Sequence, residues 1–325
     1  MKTILSLVAL CLVSCTAQAQ QVVLKFSHYM DTSHAAHAAA QQFAARVGER
    51  TQGQVKIDLF SGSQLGSPPE QLQQVKLGTL DIGVPTQGQL DKYEKAFAAV
   101  MMPFVFESYA QAHKVLDGPV MGWLAPLAEK QGFVILSNWE LGFRNMTTAK
   151  KVINTPDDVK GLKIRVPPEV QLEATMEALG AQVTKIAFPE LYMALSQGVV
   201  DGQENPFSVI LSAKVYEVQK NLAVTRHMYN SMVHVINANS WKKLTPEQQK
   251  VVREESVAAG NMMRKAVMNA EDEQLKKLES LGMNVTRPNT ALFRARMEPA
   301  NRKIAAYAGE DNVKKFLQLV EQGKK

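Results

Sequence analysis

Arg144, Arg165 and Asn205 are the residues of this sequence best placed to do chemistry, and that chemistry is the capture of a carboxylate. A guanidinium is permanently charged and offers a planar fork that grips both carboxylate oxygens, while an asparagine amide adds one more donor. Arg165 lies in "GLKIRVPP", residues 161–168. Alternation puts Leu162, Ile164 and Val166 on one side of a short strand and Lys163 and Arg165 on the other, and the prolines end the run. Sheets in α/β chains are covered by helices, so a charge in mid-strand needs solvent or a partner. The partner is either an acid of the chain, such as Glu204 or Glu190, or a ligand.

Two further segments carry candidates. "NWELGFRNMTT", residues 138–148, places Trp139, Glu140, Phe143 and Arg144 just after the strand expected at "GFVILS". "DGQENP" places Asn205 at the end of another strand, with Pro206 as its stop. Ligands of open α/β sheets bind beyond the carboxyl ends of strands, so these segments and "GLKIRVPP" point toward one crevice. Glu140 beside a carboxylate site must face away or accept a ligand hydroxyl.

Other chemistries lack their residues. There is no G-x-G-x-x-G after a strand, no Walker loop, no H-E-x-x-H and no G-x-S-x-G elbow. His34 and His37 are three apart on one helix, but no third ligand lies near them in sequence, so neither a metal nor a cofactor is expected. Both cysteines, Cys11 and Cys15, precede residue 20. The first residues combine Lys2, an apolar run from Ile4 to Val13 and Ala17-Gln18-Ala19, the pattern of a signal peptide over residues 1–19. Leu12-Val13-Ser14-Cys15 also resembles a lipobox, which would keep a lipidated Cys15. The net charge of +6, or +5 without Lys2, is spread among acids and marks no nucleic-acid binder.

The elements that must position these residues read as α/β. "VVLKFSHY", a helix over residues 33–50 and "VKIDLF" form a β-α-β opening, and strands continue at "LDIGVP", "KQGFVILSNWE" and "GLKIRVPP". "PEQLQQVKLG" leading into "TLDIGV" is echoed by "PELYMALSQG" leading into "VVDGQENP", as if two similar lobes each held one such unit. From residue 245 the period changes to one long helix of roughly 50 Å, enough to brace both lobes.

Read together, "LKFSHYMDTSH", "SQLGSPPEQLQQVKLGTLDIG", "GLKIRVPP", "FPELYMALSQGVVDGQENP" and "YEVQKNLAVTRH" resemble the solute-binding proteins of tripartite ATP-independent periplasmic (TRAP) transporters, of the dicarboxylate-binding-protein-like kind. The resemblance implies a two-lobed periplasmic binding protein fold with crossing strands and a long bracing helix. Lobe I would take residues 20–143 with part of about 233–270, lobe II residues 144–232, and the C-terminal helices residues 245–325. It implies a periplasmic receptor, not an enzyme, that closes on a small organic acid and hands it to membrane permease subunits, without stable membrane insertion. Arg165, Arg144 and Asn205 would hold the carboxylate and Phe188 would form a pocket wall.

Tyr29 and Thr86 stand where the sialic-acid-binding branch has an asparagine and a glutamate, which argues against sialic acid. If Tyr29, Trp139, Phe143 and Phe188 all line the crevice, an acid with an apolar tail fits better than a sugar acid. The competing readings are an exported enzyme, with Arg165 orienting the substrate and Glu140 or Tyr29 as acid or base, and a sensory receptor for the same ligand.

Overall fold

The computed structural model describes residues 21–323. The leader expected over residues 1–19, with Cys11 and Cys15, lies outside them. Nine strands form one sheet: β1 (Val22–Ser27), β2 (Val55–Phe60), β3 (Ile82–Gly83), β4 (Phe133–Thr148), β5 (Lys163–Val166), β6 (Gln182–Lys185), β7 (Gly202–Asn205), β8 (Asn221–Asn237) and β9 (Asn284–Thr286). The spatial order is β2-β1-β3-β8-β4-β7-β5-β6, with β9 added beside β8.

Within this order parallel pairing is confined to the two ends, and β9 runs parallel to the start of β8. β1 runs parallel to β2 and β3 at one end, and β5 runs parallel to β6 and β7 at the other. Between them the long strands β4 and β8 pair antiparallel with each other along nearly their whole length. Strands alternating with helices imply parallel sheets, and the pairing at the two ends fits that; β4 and β8 depart from it, because two strands serving both halves run past each other rather than cross over through a helix. The "GFVILS" strand does not stop at Ser137; it continues to Thr148.

The repeated unit found in the sequence is a repeated structure. Helix Pro68–Leu77 ends at Gly78, whose φ of 79° is left-handed, and Asp81 follows three residues later. Helix Leu191–Ser196 is followed by Gly198 at φ 68° and then by Asp201. Each aspartate accepts from the backbone of the adjacent parallel strand, Asp81 from Lys25 N and Asp201 from Lys163 N, both at 2.8 Å. The same side chain therefore registers β1 to β3 in one lobe and β5 to β7 in the other.

Helix Pro246–Ser280 runs 35 residues and opens with a capping box between Thr245 and Gln248. It packs along β4, and Gly260 lets it come close: a Cβ there would stand 2.7 Å from the Asn138 carbonyl and 2.9 Å from the Trp139 ring. Among the described residues no helix is long and apolar enough to cross a membrane.

Candidate functional site

The site is built at the ends of β1, β5 and β7, where short strands stop at residues that cannot continue a ladder. Pro167 and Pro168 end β5 directly after Val166, and Pro206 follows Asn205 at the end of β7. Tyr29, Thr86, Arg144, Arg165, Phe188 and Asn205 all line one cavity there. Its free space is about 20 Å³, room for about one water, so an organic acid enters only if the walls move apart.

The two arginines are in different electrostatic states. Arg144 is buried and donates through Nε and Nη2 to the Glu204 carboxylate, with Nη1 to Asn230 Oδ1 at 2.5 Å and Nη2 to Asn205 Oδ1 at 3.1 Å. Burial opposes the Arg144 charge, yet Glu204 reverses that and the guanidinium is held above its usual range. Burial alone would raise the Glu204 carboxyl, but Arg144 and then His227 hold it below the usual range. Arg144 is thus neutralised within the protein. Glu204 was an expected partner for Arg165, but it faces the other arginine.

Arg165 has no such partner. It is 1% exposed, its Nε donates to the Ile186 carbonyl at 2.8 Å, and its Nη2 has no hydrogen-bond partner. Desolvation pushes it down to about 10, with Glu204 opposing and Arg144 adding to the shift. At neutral pH it remains a buried cation with donor capacity left over.

Asn205 is oriented by its own strand: its Nδ2 donates to Gln203 Oε1 at 2.5 Å, which leaves Oδ1 for Arg144. Tyr29 and Phe188 meet edge to face across the cleft, ring centroids 5.4 Å apart. Outside that pair lies an open depression of about 570 Å³ bordered by Asp31, Ser63, Tyr192, Lys214 and Glu217. The two rings therefore separate the inner cavity from the mouth. Burial pushes the Tyr29 phenol well above its usual range, which leaves it no capacity as a base near neutral pH.

Three expected residues lie elsewhere. Trp139 is fully buried, donates to the Ser256 carbonyl at 3.2 Å and packs on Phe26 and His234. Phe143 is in the core against Tyr109 and Tyr229, with the Arg226 guanidinium 3.9 Å from its ring centre. Glu140 faces away from the cleft and accepts from Tyr229 Oη at 2.9 Å, with His113 Nε2 2.6 Å away. The reason is common to all three. They belong to one continuous strand, whose alternation and register shift between Glu140 and Gly142 turn Arg144 toward the cleft and these neighbours away. The paired histidines also separate: His34 is buried beside Ser208 Oγ at 3.1 Å, whereas His37 meets His28 at 3.1 Å.

Glu169, which sequence reasoning missed, is the third charged group that lines the cavity, beside Arg144 and Arg165. It is 2% exposed, accepts from Thr86 Oγ1 at 2.9 Å through Oε1, and has no partner at Oε2. Burial raises its carboxyl and Arg144 opposes that rise. The available signal was position: it follows directly on the two prolines that end the Arg165 strand.

A closed cleft between two α/β halves, crossed by two shared strands and holding a buried guanidinium with spare donors, defines a two-lobed solute receptor. The chain belongs to the family described as bacterial extracellular solute-binding protein, family 7, whose sequence profile matches residues 26–307. It is a TRAP-type receptor. Among similar proteins is the sialic acid-binding periplasmic protein SiaP of Vibrio cholerae, 31% identical over 297 residues that cover 91% of this chain and 92% of the relative. Another is the C4-dicarboxylate-binding periplasmic protein DctP of Rhodobacter capsulatus, 31% identical over 306 residues, 92% of this chain and 91% of the relative. A solved TRAP periplasmic solute binding protein from Polaromonas sp. JS666, bound to D-erythronate, superposes with a TM-score of 0.87 at 32% identity, covering 91% of this chain and 98% of that one.

Proposed function

We propose that this protein is exported through its leader, captures a small organic acid between its lobes by its carboxylate, and delivers it to the permease subunits of a TRAP transporter. The observation that carries the reading is Arg165: a buried cation with an unpartnered Nη2, in a cavity walled by both halves of the sheet. A buried unpaired charge destabilises a fold, so its retention needs a compensating anion, and a carboxylate matches its fork. Arg144, already paired with Glu204, fixes the floor and presents Asn205. Sialic acid, C4-dicarboxylates and D-erythronate, the ligands that name the similar proteins, share the carboxylate and differ in size and in the number of carboxylates and hydroxyls.

Closure expels water from around Arg165 and strengthens every polar contact inside. Entry requires opening, which the bulged crossing strands β4 and β8 supply as hinges. A catalytic role has little support, since Glu140 lies outside the cavity and Tyr29 is held protonated. The test is mass spectrometry of acids that copurify with the mature chain, followed by thermal shift with each. A receptor returns its ligand chemically unchanged and melts at higher temperature with it; an acid consumed on incubation, or no acid that raises the melting temperature, overturns the reading.

A further inference from the structure

We infer that Glu169 selects the ligand class: the site takes a hydroxylated monocarboxylate and rejects a dicarboxylate, with Glu169 Oε2 accepting a ligand hydroxyl. The inference rests on the reading of this cleft as an organic-acid site. Two cations line the cavity, Arg144 and Arg165; Glu204 is taken by Arg144, and Glu169 lines the cavity as an acid. One ligand carboxylate satisfies the unpartnered Nη2 of Arg165. A second carboxylate finds no further cation in the lining and meets Glu169 instead, where like charge in a water-poor site repels it.

A hydroxyl meets the opposite situation. Glu169 is 2% exposed, and its Oε2 has no partner while Oε1 is held by Thr86 at 2.9 Å. The carboxylate is thereby oriented and keeps one oxygen to accept. Oε2 lies against Gly88, where a Cβ would come within 2.6 Å of it, so the missing side chain there is what lets the Glu169 carboxylate take this position. Gln89 donates through Nε2 to Glu169 Oε1 at 3.4 Å and keeps its own Oε1 buried without a partner in the same lining. Ligand hydroxyls that reach these oxygens satisfy them, whereas an unsubstituted acid leaves them unpaired. The aromatic surface that favoured an apolar tail is reduced to Tyr29 and Phe188, because Trp139 and Phe143 lie in the core.

The experiment is titration calorimetry of the mature chain, freed of copurified ligand, with D-erythronate, D-gluconate, succinate and butyrate. At least one hydroxylated acid is expected to bind tenfold or more tighter than both succinate and butyrate. Glu169→Gln, which keeps size and an acceptor oxygen but removes the charge, is expected to narrow the preference over succinate at least fivefold. Glu169→Asp, a second variant should the first fail to fold, is expected to keep succinate excluded while weakening the hydroxylated acid. Succinate or butyrate binding tightest, or an unchanged preference in a folded Glu169→Gln protein, overturns the role of Glu169 and leaves the receptor reading standing. Failure of all four acids to bind overturns both.

Discussion

Glu204 takes the fork of Arg144, and by doing so leaves Arg165 as the cleft arginine with donors to spare. The two guanidiniums share one buried cavity and one sign of charge, yet one is bound into the protein and the other is open to a ligand. Their substitutions should therefore separate stability from binding.

Arg144→Leu strands Glu204 as a buried carboxylate whose remaining side-chain hydrogen-bond partner is His227, at 3.2 Å. Breaking a buried pair from one side costs about 3 to 5 kcal/mol of folding stability. Urea denaturation of the ligand-free protein should show that loss; a loss under about 1 kcal/mol would mean that the pair is not closed in solution.

Arg165 behaves in the opposite way. Arg165→Lys conserves charge but loses the fork, and ligand affinity should fall by about 2 to 4 kcal/mol. Arg165→Met should abolish binding while leaving the melting temperature of the ligand-free protein unchanged or higher, since it removes an unpaired buried charge. Calorimetry with affinity within about threefold of the parent for the lysine variant would remove Arg165 from the site.

The sequence pattern revealed the strand-helix-strand units, the long helix from Pro246 and the importance of Arg165, because each rests on local signals: caps, periodicity and a charge in an apolar strand. Trp139, Glu140 and Phe143 were misread for a physical reason. Their placement depends on which face of β4 each residue takes on either side of the register shift between Glu140 and Gly142, and that is set by pairing with β8 some ninety residues away. Glu169 was missed because an acid after two prolines reads as an ordinary helix start. Its meaning comes from Thr86 across the cleft, a contact 83 residues apart in the chain.

Trp139→Ala tests that correction. Removing a fully buried indole that packs on Phe26, His234 and Gly260 should cost about 3 to 5 kcal/mol of stability. Ligand affinity of the folded fraction should change less than about threefold, because the ring does not line the cavity. A selective loss of affinity at unchanged stability would return Trp139 to the site.

Asp91 should make stability depend on pH. Its carboxyl is pushed up from 3.8 to about 7, first by burial and then by the charge of Glu169, with Gln171 and Lys92 opposing. Gln171, on the helix that follows Glu169, reaches Asp91 Oδ2 at 3.3 Å, so the group is buried where the two halves of the molecule meet. A folded-state value above the unfolded one means that the folded protein holds a proton that the unfolded chain releases between these two values. The stabilisation is fully present below the unfolded value and is lost as pH rises through about 7. Asp91→Asn removes this dependence, because its neutral amide stays uncharged throughout. Melting curves taken between about pH 5 and 8 should show the parent losing stability relative to the variant as pH rises, with the gap widest at the alkaline end. The slope left in the variant has two signs: Glu169 and Glu140, raised by burial, lose stability as pH rises, while His28, His34 and His234, held down by burial, gain it as pH rises toward the unfolded value of 6.5. Parallel curves for parent and variant would show that Asp91 titrates as an ordinary carboxylate and that its side chain reaches water in the folded protein.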